Sequence, residues 1–136
     1  AMQQAFHYLA QAGVLTALMW VPYILARMHS WGIRDFLNNY PDGFPATEPA
    51  PPLWAQRAKR AHLNMVETLP AFIAVVVAAS YLADDGAAAE VGRWAMIFHY
   101  ARVAHYIVYS LGIPYLRTPA YPVSWAAILM IGTQLA

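Results

Sequence analysis

The sequence predicts an all-α fold, an integral-membrane four-helix bundle formed by residues 1–136 as a single domain, and three observations predict it. Hydrophobic residues make up 60% of the chain and charged residues 11%, with a mean hydropathy of +0.40, outside the range of ordinary soluble domains. From Ala5 to Ala26 there is no Asp, Glu, Lys or Arg, a run longer than the roughly 20 residues that cross a bilayer. Finally, turn signals divide the remainder into helix-length apolar segments rather than into the short alternating runs of strands.

The first helix is predicted over about residues 4–28, with Pro22 inside it. It has neither the basic start nor the short apolar core of a secretory signal and is read as a retained span. Residues from about 30 to 52 contain Pro41, Pro45, Pro49, Pro51 and Pro52 and form the one long non-helical loop. The second helix covers about residues 53–82; its Pro70 removes the amide that would bond the Val66 carbonyl, next to Glu67. After the polar turn Asp84-Asp85-Gly86 the third helix runs over about 87–111 and stops at Gly112-Ile113-Pro114. Thr118 is the expected N-cap of the fourth helix, about 120–135, with Pro119 at its first position.

Arg27, Arg34, Arg57, Lys59 and Arg60 flank the first loop and Arg117 the third, whereas the second loop sets Arg93 against Asp84, Asp85 and Glu90. The positive-inside rule therefore places the first and third loops in the cytoplasm and both termini on the other side. The chain has no cysteine, so it has no disulfide and no protein thiolate, and sulfur chemistry would have to come from a ligand. With a net charge of +1 and no basic stripe, nucleic acid is excluded as a partner. His99 and His105 are six residues apart and do not share a helix face, so no metal is expected.

The second helix opens with charge. Arg57, Arg60, Asn64 and Glu67 fall at i, i+3, i+7 and i+10, placing two cations, an amide and a carboxylate on one face. The third helix repeats the theme with Arg102, His105, Tyr106 and Tyr109. Ionisable groups facing lipid at mid-bilayer would cost about 2.5–3.5 kcal/mol each, so these face protein or a wet cavity. Cations outnumber carboxylates there, which favours an anionic ligand over an internal ion-pair network. Arg117, placed at the start of the fourth helix, combines a cation with backbone N–H groups that also favour an anion. Such a set suits a small zwitterion with an excess of negative charge; glutathione, with two carboxylates, an ammonium, two amides and an ionisable thiol, meets that description, though these residues alone do not single it out from other anions.

The run Arg60-Ala61-His62-Leu63-Asn64-Met65-Val66-Glu67, followed by Thr68-Leu69-Pro70, resembles the second-helix signature of the MAPEG family, the membrane-associated proteins of eicosanoid and glutathione metabolism. The resemblance extends to Ala101-Arg102-Val103-Ala104-His105-Tyr106-Ile107-Val108-Tyr109 and to Arg117-Thr118-Pro119-Ala120-Tyr121, and so to the whole chain. It implies a homotrimer holding glutathione between neighbouring subunits near the cytoplasmic side, in a protein of the bacterial inner-membrane type. Arg60, Asn64 and Glu67 then look like glutathione ligands from the second helix, Arg102, His105 and Tyr109 like contributors from the third, and Arg117, Thr118 and Tyr121 like the group meeting the thiol. Arg27 is similar in placement to an arginine that some members use for a carboxylate, while Arg57 and Lys59 are left as headgroup anchors.

Leu63 and Thr68 depart from the arginine and tyrosine that eicosanoid-synthesising members carry. What is implied is a glutathione transferase or peroxidase acting on a small hydrophobic electrophile from the bilayer, with Arg117 stabilising the thiolate and Tyr121 or Tyr109 donating a hydrogen bond. The alternative is a non-catalytic scaffold that binds lipid or an anion, or an accessory subunit of a membrane complex. A proton-coupled transporter using Glu67 and His105 fits the arginine excess less well.

Overall fold

The computed structural model describes residues 2–33, 37, 52–113 and 117–135; most of the expected loop over residues 30–52 lies outside them. Four long helices carry the fold: α1 (Gln3–Trp31), α2 (Leu53–Leu82), α3 (Asp85–Leu111) and α4 (Arg117–Thr133). They run alternately up and down. Asn64 of α2 meets Arg102 of α3 while Phe72 meets Phe98, so ascending residues on one helix pair with descending residues on the other. On α1, Tyr8 reaches His99 and Met19 reaches Tyr106, which makes α1 parallel to α3. Helix α3 packs against all three others.

Small side chains allow this packing. Ala5, Ala12 and Met19 are buried at seven-residue intervals on α1 and share one core with Ala61 and Met65 of α2 and Val91, Ala95 and Phe98 of α3. Repeats of this kind keep one seam turned toward the neighbouring helix. In a membrane, where lipid is as apolar as leucine, close approach of small residues supplies the dispersion contacts that hold helices together. The rings of Phe72 and Phe98 stack at the centre, 3.9 Å apart and 16° from parallel.

Outward, α1 presents Val14, Leu18 and Leu25, and α2 presents Leu63, Val66, Ile73 and Val77. Both helices are long and apolar enough to cross a membrane. Helix α3 carries Asp85, Glu90, Arg93 and Arg102, and α4 has 17 residues.

The helix ends differ from the sequence expectations in two instructive places. Helix α3 begins at Asp85 because the Asp84 carboxylate accepts the Ala87 amide at 2.7 Å; two residues assigned to the turn are thereby drawn into the first helical turn. Helix α4 begins at Arg117, so Thr118 is its second residue and not its N-cap. Pro119 permits this, since an amide in the first turn has no helical acceptor to serve. At its other end α3 closes on Gly112, at φ +69°, with Ile113 N donating to the Val108 carbonyl at 3.0 Å.

Candidate functional site

The site forms where α2, α3 and α4 converge. Arg102 is wholly buried. Its Nη2 donates to Asn64 Oδ1 at 2.7 Å and its Nη1 to Ser124 Oγ at 3.4 Å, while its guanidinium carbon lies 6.0 Å from the centre of the Tyr121 ring. The Ser124 hydroxyl is itself a relay: it accepts from Arg102 and donates to the Tyr121 carbonyl at 2.8 Å. One guanidinium thus joins three helices.

Among the described residues no carboxylate pairs with Arg102, and its Nε has no hydrogen-bond partner. The amide and hydroxyl oxygens answer its hydrogen-bonding needs in part but leave its charge uncompensated. A buried cation in that condition is costly unless an anion comes to it.

Beside this group lies a cavity of about 310 Å³ lined by Asn64, His105, Tyr109, Thr118, Tyr121 and Pro122. His105 is buried, its ring 5.4 Å from that of Tyr109 and 6.3 Å from that of Tyr121. These side chains offer an amide, an imidazole, two phenols and a hydroxyl. They can orient a polar ligand and donate hydrogen bonds to an anion.

The structure therefore gathers Asn64, Arg102, His105, Tyr109, Thr118 and Tyr121 in one place. Arg60 and Glu67 stand one turn to either side of Asn64, both exposed on α2, and no ion pair links them. A stapling pair between them, weighed from the sequence, is absent among the described residues. Arg27 is half-buried on α1 and does not line the cavity. Arg117 opens α4, but its side chain lies outside the described residues.

The contacts bear on two of the expected assignments. Asn64 Oδ1 is committed to Arg102, so only its amide N–H groups remain for a ligand. Arg57, read as a headgroup anchor, places its guanidinium against Gly112 at the end of α3, while Lys59 is exposed. Sequence reasoning missed Ser124 and Pro122. Their signals were a serine at helical spacing from a tyrosine and a proline within a helix, both weak until a buried arginine is known to face them.

A polar pair lies elsewhere, between α1 and α2. The Tyr23 hydroxyl and His62 Nδ1 are 3.1 Å apart, and the Tyr106 hydroxyl donates to the Met19 carbonyl at 3.0 Å. These contacts tie α1 to its neighbours inside the bundle.

No individual curated protein matches the chain. The sequence model of the MAPEG family matches residues 5–136, which takes in every residue of the α2–α3–α4 site. This integral membrane protein belongs to the MAPEG family.

Proposed function

We propose that the protein is a glutathione-dependent membrane enzyme, a transferase or peroxidase, in which the thiolate of bound glutathione attacks a small hydrophobic electrophile that arrives from the bilayer. The observation that carries this reading is the buried Arg102, without a carboxylate partner among the described residues, beside a cavity of about 310 Å³ lined by hydrogen-bonding side chains. A guanidinium in low dielectric favours a negative charge on whatever fills that cavity.

In this scheme Arg60, Glu67 and the Asn64 N–H groups hold the tripeptide. Arg102 supplies positive potential from behind the cavity and His105 a hydrogen bond from its wall, and Arg27 answers a carboxylate from α1. Arg117, Thr118 and Tyr121, with Tyr109, meet the sulfur, where a cation and phenolic O–H groups raise the thiolate fraction at neutral pH. Because Arg60 and Glu67 are exposed on the single chain, the complete site is assigned to a homotrimer in which a second subunit covers that face. The membrane in this reading is a bacterial inner membrane; the basic residues flanking the first and third loops support a site facing the cytoplasm, with both termini on the other side.

Titration of the purified protein with glutathione, followed by the ultraviolet absorbance of the thiolate, tests the proposal. Saturable thiolate formation is expected, with its consumption on addition of a hydrophobic aryl halide. Absence of binding at millimolar glutathione would remove the enzyme reading and leave a scaffold that binds lipid or another anion.

A further inference from the structure

Helix α4 carries a proline at its sixth residue, Pro122. In an α-helix the amide of residue 122 would donate to the carbonyl of Thr118, and proline has no amide hydrogen, so the helical donor for that carbonyl is missing. The ring also presses on the same carbonyl and tilts it away from the helix axis. Within a membrane a carbonyl so released must find another donor, and it is tolerated where it lines a protein cavity.

The surroundings of this carbonyl are those of the site. On a helix surface the carbonyl of residue 118 emerges among the side chains of residues 118, 121 and 122, and Thr118, Tyr121 and Pro122 all line the 310 Å³ cavity. In the next turn the Ser124 hydroxyl donates to the Tyr121 carbonyl at 2.8 Å. Pro119, by contrast, lines a separate apolar groove with Ala101, Ala104, Val108, Ala120 and Val123.

We infer that the Thr118 carbonyl, released by Pro122, is a hydrogen-bond acceptor of the cavity that takes a peptide N–H of the bound ligand. The side chains of the wall provide donors for an anion and the neighbouring Arg102 provides a cation; this carbonyl provides the complementary acceptor that a peptide amide needs beside its negatively charged groups. It makes the site selective for a peptide-like anion over a simple one. The inference rests on the glutathione reading and names the contact made by its cysteinyl or glycyl amide.

The test compares wild type, Pro122→Ala and Pro119→Ala in detergent, using glutathione and its analogues N-methylated at either internal amide. Alanine at 122 restores the helical donor and occupies the carbonyl. Pro122→Ala is expected to unfold at a higher temperature and to bind glutathione about 5–20-fold more weakly, the loss of one hydrogen bond. Pro119→Ala is expected to bind as wild type does. One N-methylated analogue should bind wild type more weakly than glutathione, yet lose little or nothing on Pro122→Ala. Equal glutathione affinity in wild type and Pro122→Ala, or discrimination against the methylated amides that survives in Pro122→Ala, overturns the inference and leaves the glutathione reading standing. Failure of wild type to bind glutathione at all overturns both.

Discussion

The guanidinium of Arg57 on α2 occupies the space that a side chain on Gly112 would fill: a β-carbon there would collide with Arg57 Nη1. Gly112 closes α3 at φ +69°, the left-handed region that other residues enter at a cost. The cation thus sits at the end of a helix whose last carbonyls carry partial negative charge, where it is favoured by about 0.3–1 kcal/mol. The left-handed backbone favours glycine at 112, and a side chain there would also have to displace the flexible end of Arg57.

Gly112→Ala should therefore destabilise the protein by about 1–3 kcal/mol, combining the left-handed backbone with displacement of Arg57. Combined with Arg57→Ala it should cost less than the sum of the two single changes, because the steric part is relieved. Unfolding of the three variants in detergent measures this. Strict additivity would show that Arg57 does not press on this turn.

The Asp84 cap gives a smaller and cleaner effect. Its carboxylate accepts the Ala87 amide at 2.7 Å at the exposed start of α3. Asp84→Ala should lower stability by about 0.5–2 kcal/mol, while Asp84→Asn, which retains an acceptor oxygen, should lose only a fraction of that. Glutathione affinity should be unchanged in both, since the cap and the cavity lie at opposite ends of α3. A loss of affinity would mean that the start of α3 sets the position of Arg102 and His105.

Much of the candidate site is legible in the sequence because membrane burial makes charge conspicuous. Arg102, Asn64 and His105 stand out in apolar helices, and the spacing Arg60, Asn64, Glu67 defines one face without any structure. What the spacing does not contain is which polar groups satisfy one another. Asn64 looks like a ligand holder from α2 alone; only the approach of α3 shows that its carbonyl oxygen serves Arg102. The place of Arg57 is illegible for the same reason, since its guanidinium lies against a glycine 55 residues away. Helix starts shift by two or three residues because a capping carboxylate and a first-turn proline act through the backbone, where hydrophobic periodicity carries no signal.

In the proposed scheme Arg117 meets the sulfur and not the remainder of the tripeptide. Arg117→Ala should consequently reduce turnover by 100-fold or more, about 2.7 kcal/mol of transition-state stabilisation, with glutathione affinity falling less than about fivefold. Steady-state kinetics with an aryl halide, read beside direct binding of glutathione, separate the two quantities. Equal losses in turnover and binding would assign Arg117 to holding the tripeptide. Tyr121→Phe and Tyr109→Phe, measured in the same way, identify the phenol that donates to the thiolate, since only its removal should shift the pH dependence of thiolate formation upward.

Replacing Asn64 by aspartate tests whether the charge of Arg102 is reserved for a ligand. The Asn64 side chain already lies 2.7 Å from Arg102 Nη2, and a carboxylate in its place can make a charge-assisted bond with the same geometry. Asn64→Asp is expected to preserve or raise stability, because the buried cation gains a counter-ion. Asn64→Ala leaves Nη2 without its acceptor and should cost about 1–3 kcal/mol. Binding should follow a different order: the new carboxylate neutralises the cation and repels an anion in the cavity, so glutathione affinity should fall at least tenfold in Asn64→Asp even though the fold is sound. Thermal unfolding and glutathione titration of both variants decide the matter. Unimpaired glutathione binding by a stable Asn64→Asp protein would show that Arg102 acts only as a brace between α2, α3 and α4, and the anion would then have to be held by Arg60 and Arg117.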